Sequence, residues 1–140
     1  MPKYMLIMRG TEEGLAAFAQ MDITEVMDAM GRYNEAMMQA GVLVAGEGLS
    51  DPAEGAVVDF SGETPVVSDG PYGEVKELFN GYWILDVANK EEAVEWARRA
   101  PLHAPGNKLE IRRVNGPEDF PQDNEWAAKE QVWREQLGTV

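Results

Sequence analysis

Cysteine is absent from this 140-residue chain. Disulfides, thiolate metal sites and cysteine nucleophiles are therefore excluded. Histidine occurs once, as His103. One histidine among scattered carboxylates gives no metal-ligand spacing, so no metal is expected. Long apolar runs are missing too: no stretch approaches the ~20 residues of a membrane span. The start, Met1-Pro2-Lys3-Tyr4, lacks the basic and apolar regions of a secretory signal. A cytoplasmic protein is the expectation. Positive charge is scarce, with 12 Lys and Arg against 25 Asp and Glu and a net charge of −13. Such a surface repels nucleic acid and anionic lipid, so neither is expected as a partner. Gly46-Glu47-Gly48 lacks the third glycine and the βαβ context of a dinucleotide fingerprint, and no serine sits in a nucleophile elbow. No cofactor is implied.

What the chain does contain is enough apolar residue, 44%, to build one core. Alternation over Lys3 to Arg9 predicts a central strand with apolar residues on both faces and Arg9 at its end. Thr11 to Gln20 is ambiguous and fits a short helix. Asp22, with Glu25 three residues on, predicts the start of a longer helix. Ile23, Val26, Met27, Met30, Tyr33 and Met37 recur along it at helical spacing, and Gly41 is its expected left-handed terminator. All eight methionines fall within the first 38 residues. Such a stripe fits either core or an adaptable binding surface.

Val42 to Ala45 reads as a strand closed by Gly46-Glu47-Gly48, and Ala56–Ser61 and Thr64–Ser68 as a hairpin around Gly62-Glu63. Tyr82 to Val87 is the next strand. Asn80-Gly81 reads as a turn before it, so Val75–Phe79 is expected to pair back. Asn89 starts a second main helix that Pro101 stops. Lys108–Val114 is the last core strand. Beyond Asn115-Gly116-Pro117, Asp123 is the expected cap of a tail helix carrying Trp126, Trp133 and Leu137 on one face. The βαβ…βαβ order predicts an α+β, ferredoxin-like (split βαβ) fold with an extra β-hairpin and a C-terminal helix. Such a sheet leaves one face bare, which a homodimer would cover.

The run Asp69-Gly70-Pro71-Tyr72, with Glu74, Lys76 and Glu77, is similar to the Asp-Gly-Pro-Phe-x-Glu-x-Lys-Glu motif of YCII-related proteins, specifically the DGPF (DGPFAETKE) subfamily. Tyr4 to Ile7, Ala40 to Leu49, Gly81 to Leu85, Glu92-Ala93, Glu95 to Ala97 and Leu109 to Arg112 resemble the family's other segments in order. The resemblance covers residues 3–114, leaving 115–140 as a C-terminal helical extension. It implies a ferredoxin-like fold assembled as a dimeric α/β barrel, and a family often found beside extracytoplasmic-function sigma factors. Some relatives look enzymatic, with a proposed His/Asp pair. This chain departs from that pattern, because its first strand and the following loop contain no histidine.

Asp69, beside the stiff Gly70-Pro71 turn, is either a functional carboxylate or a side chain bonded to its own turn. His103 is the chain's one imidazole and a natural acid/base group, but it sits in a proline-rich loop, where an exposed side chain is the plainer reading. Glu74, Lys76 and Glu77 form either a solvated face or the rim of a ligand cleft. Arg9 and Glu47, with Gly70, Pro71 and Tyr72, are further candidates for lining it. Two readings follow. One is a non-catalytic, accessory or regulatory protein that holds a small molecule. The other is a small-molecule isomerase, lyase or hydrolase using Asp69 and His103 for acid/base chemistry.

Overall fold

The computed structural model of the chain describes residues 1–70 and 77–138. A four-stranded antiparallel sheet forms the frame. Its strands are β1 (Lys3–Gly10), β2 (Leu43–Gly48), β5 (Leu78–Asp86) and β6 (Lys108–Arg113), in the spatial order β2-β5-β1-β6. A second, two-stranded sheet pairs β3 (Ala56–Asp59) with β4 (Val66–Asp69). The helices are α1 (Glu12–Ala19), α2 (Ile23–Gln39), α3 (Lys90–Arg98) and α4 (Glu125–Leu137). An α+β chain with this strand order is consistent with the split βαβ, ferredoxin-like plan.

One sheet face makes the core. Tyr4, Leu6 and Met8 of β1, Trp83 and Leu85 of β5, and Leu109 and Ile111 of β6 pack with Tyr33 and Met37 of α2 and Ala93 and Trp96 of α3. Leu6, Met37, Leu85 and Val87 are wholly buried, each stabilising the fold by about 1.5–3 kcal/mol. Polar groups fix the angles between layers. The Tyr33 hydroxyl donates to the Trp96 carbonyl at 2.7 Å, joining α2 to α3. Trp83 Nε1 donates to Asn34 Oδ1 at 2.9 Å, and the Tyr33 and Trp83 rings meet edge to face at 5.2 Å. Burial pushes the Tyr33 phenol up to about 12, so it stays a neutral donor.

The caps of α2 and α3 follow the sequence. Asp22 accepts from the Thr24 amide, Asn89 from the Glu92 amide, and Gly41 takes φ +73°. Three expectations need correction. Gly46-Glu47-Gly48 does not close β2 but lies within it. Asn80-Gly81 is no turn either: both residues lie inside β5, which begins at Leu78. The physical reason is a register slip opposite Met8 and Arg9, where Gly81 adopts φ +156° and packs against the Glu47 carbonyl. The strand expected over Val75–Phe79 therefore ends as the start of β5, with Val75 and Lys76 outside the described residues. Finally, Asn124 rather than Asp123 caps α4, accepting from the Trp126 amide at 2.8 Å.

Candidate functional site

At one end of the sheet, α1 and the start of α2 lean over Met8 and Trp83 and leave a cavity of about 560 Å³. Two glycines make that arrangement possible. A Cβ on Gly14 would stand 2.7 Å from the Pro105 carbonyl, so only glycine lets α1 seat against that loop. A Cβ on Gly46 would stand 2.7 Å from Trp83 Cδ1, so glycine there leaves room for the indole. Leu15, Phe18, Val26, Met30, Trp83 and Leu102 give the cavity mostly apolar walls. Ser50, Asp51, Asn80 and Asn107 are its polar lining residues, and Arg9 and Glu47 line it from strand positions whose side chains share the face of Ile7 and Tyr82. A pocket of this size, apolar with a few polar groups, suits a small organic molecule rather than a polymer.

Arg9 is held in a four-residue charge network. Its Nε donates to Glu77 Oε2 at 2.8 Å and a terminal nitrogen donates to Glu110 Oε1 at 2.7 Å. Lys108 Nζ donates to the other oxygen of Glu77 at 2.9 Å. Hydrogen bonds from Lys108 and then Arg9 hold the Glu77 carboxyl below its usual range, while Glu110 and Glu77 push the Arg9 guanidinium up. These side chains are a third or more exposed, so water screens the pairs. Their main effect is positional. Glu77, the last residue of the motif, is fastened to the ends of β1 and β6 beside the cavity.

The residues singled out by sequence fall in three places. Arg9 and Glu47 are among the residues lining the cavity, and Glu77 is bonded to the Arg9 side chain on the sheet face that Ile7 shares. Asp69 ends β4 on the two-stranded sheet and is exposed; the adjoining Gly70 takes φ +74° and its amide donates to the Gly55 carbonyl at 2.8 Å. His103 is exposed in a separate shallow groove beside α3 and β6, with Arg98, Asn107 and Lys108. Asp69 and His103 are therefore not brought together in the main cavity. Pro71, Tyr72, Glu74 and Lys76 lie outside the described residues. Among the described residues, no group of three or more His, Asp or Glu is placed to hold a metal, and no helix is long and apolar enough to cross a membrane. Sequence reasoning missed Asn80, Asn107 and Glu110. Asn80 was read as a turn residue. Glu110 stands opposite Ile7, on the face that Arg9 shares.

An antiparallel α+β domain with a cavity at its sheet end is the class this geometry defines. A match to the YCII-related domain over residues 2–115 makes the assignment specific: the chain belongs to that family. It is also similar to an uncharacterized protein of Rhizobium meliloti (strain 1021), 26% identical over 95 residues, spanning 68% of this chain and 77% of the relative.

Proposed function

We propose that the protein is a DGPF-subfamily member that binds a small organic molecule in the cavity beside Arg9 and acts as a non-catalytic, accessory or regulatory homodimer. The observation that carries this reading is the 560 Å³ mostly apolar cavity at the sheet end, lined in part by Arg9, whose side chain is bonded to Glu77 of the motif run. A motif residue fastened at the cavity edge gives that run a ligand-related position. Acid/base catalysis by Asp69 and His103 would require the two side chains around one substrate, and neither lines this cavity. In the family setting, an extracytoplasmic-function sigma factor is the partner to which a bound ligand would be reported.

Ligand-observed NMR with a panel of neutral, acidic and basic small aromatics tests the reading. Ala19 is exposed and lines the cavity, so Ala19→Trp narrows it without touching the core. Compounds that bind the parent protein should lose binding in Ala19→Trp. Unchanged binding in that variant, or no binding from the whole panel, contradicts the proposal.

A further inference from the structure

A second groove runs between α2 and α3, on the outer side of the helix layer and away from the cavity lining. It encloses about 320 Å³. Ala29 and Ala36 of α2 leave its floor open, Tyr33 and Trp96 supply aromatic surface, and Arg32 and Arg99 are both present. That pairing is unusual for a chain with only 12 basic residues and a net charge of −13. Four other arginines are matched to carboxylates, Arg9 to Glu77 and Glu110, Arg98 to Glu95, Arg113 to Asp119 and Arg134 to Glu130, while Arg112 stands on β6 without such a pair among the described residues and outside the lining of this groove. Arg32 and Arg99 have no carboxylate within ion-pair distance among the described residues.

Arg99 also stacks on an aromatic ring. Its guanidinium carbon lies 3.8 Å from the centroid of the Trp96 ring. Stacking occupies one flat face of the guanidinium and leaves its N–H groups, which lie in its plane, for an acceptor. A guanidinium already stacked in this way loses less entropy when it engages a planar anion. The Tyr33 hydroxyl is committed to the Trp96 carbonyl, so it helps shape the groove and does not compete as a donor. Arg99 follows the last turn of α3, where a cation also favours the helix dipole. That role explains a positive charge at this position. It does not explain the stacking on Trp96, or a second unpaired arginine from α2 in the same groove.

We propose that the α2–α3 groove is a binding site for a small organic anion, a carboxylate or phosphate monoester on a compact ring. Arg99 and Arg32 engage the acid group, and the alanine floor accepts the ring. The site is independent of the cavity beside Arg9.

Calorimetric titration of the full chain at low salt tests this, with phenyl phosphate and benzoate as probes and benzyl alcohol and benzylamine as controls. Both anions should bind, at least tenfold more tightly than either control. Arg99→Gln and Arg32→Gln should each weaken binding of the anions by tenfold or more. Arg99→Lys should recover only part of the loss, since an ammonium keeps the charge without the fork. Arg98→Gln, one residue away but paired to Glu95, should bind as the parent does, and Ala19→Trp likewise. Circular dichroism of each variant identifies losses due to unfolding, and Arg99→Lys then decides in place of any variant that unfolds. The inference is overturned if neither anion binds at millimolar concentration, or if the controls bind equally. Parent-like affinity in Arg99→Gln and Arg99→Lys, or an equal loss in Arg98→Gln, overturns it as well.

Discussion

Asp119 accepts from both terminal nitrogens of Arg113, at 2.6 and 2.9 Å, and from the Gly116 amide at 2.7 Å. The Arg113 hydrogen bonds, and then the Gly116 amide, hold its pKa down to about 2, against an ordinary value of 3.8. A depressed carboxylate pKa contributes stability that is complete above the unfolded value and disappears as pH falls toward the folded one. The contribution should therefore be lost between about pH 4 and about pH 2. Arg113→Gln should flatten the fall in melting temperature over that window relative to the parent. A variant with the parent's slope contradicts the assignment. In the core, Tyr33→Phe removes the bond to the Trp96 carbonyl and should cost about 0.5–1.5 kcal/mol in urea unfolding. Gly46→Ala drives a methyl into the Trp83 indole, and the overpacking should cost about 1–3 kcal/mol. No measurable change would mean that Trp83 moves freely, contrary to its hydrogen bond with Asn34.

Among the elements, α4 stands apart. None of its residues is buried, and Trp126 and Trp133 are 56% and 47% exposed. The two rings lie 6.2 Å apart and Lys129 covers one of them, so the apolar stripe is only partly masked. An exposed stripe of this kind suits a second surface, and we propose that α4 packs across a dimer seam. Trp126→Ser with Trp133→Ser should weaken self-association while leaving the far-UV spectrum of the core unchanged. Unaltered association would leave the helix without that role. Elements like α2 and α3 were legible because capping residues and apolar spacing agree. The ends of β2 and β5 were not. Gly46, Asn80 and Gly81 carry turn chemistry locally, and only strand pairing across the register slip at Met8 and Arg9 turns them into strand. The cavity was legible in part. Arg9 and Glu47 stand at strand positions that sequence can place, whereas Asn107 and Leu102 reach it from a loop whose path depends on Gly14 meeting Pro105.

At the scale of the molecule, the core draws on one sheet face. The register sets Met5, Ile7, Tyr82 and Ile84 on the other, outside the core cluster. Ile7 is already buried there, but Met5, Tyr82 and Ile84 stay partly exposed, and that apolar surface fits a face that a second copy covers. Sedimentation at micromolar concentration should give about twice the 15.5 kDa chain mass; a folded monomer would contradict the dimer. The central claim, that the cavity beside Arg9 is the ligand site, is tested most directly by amide chemical-shift mapping with a compound from the NMR panel. The account predicts perturbations concentrated on residues 8–19, 26–30, 46–51, 80–83 and 102–107, the segments that line the cavity. Perturbations confined to the hairpin that carries Asp69, or to the groove at His103, would contradict it.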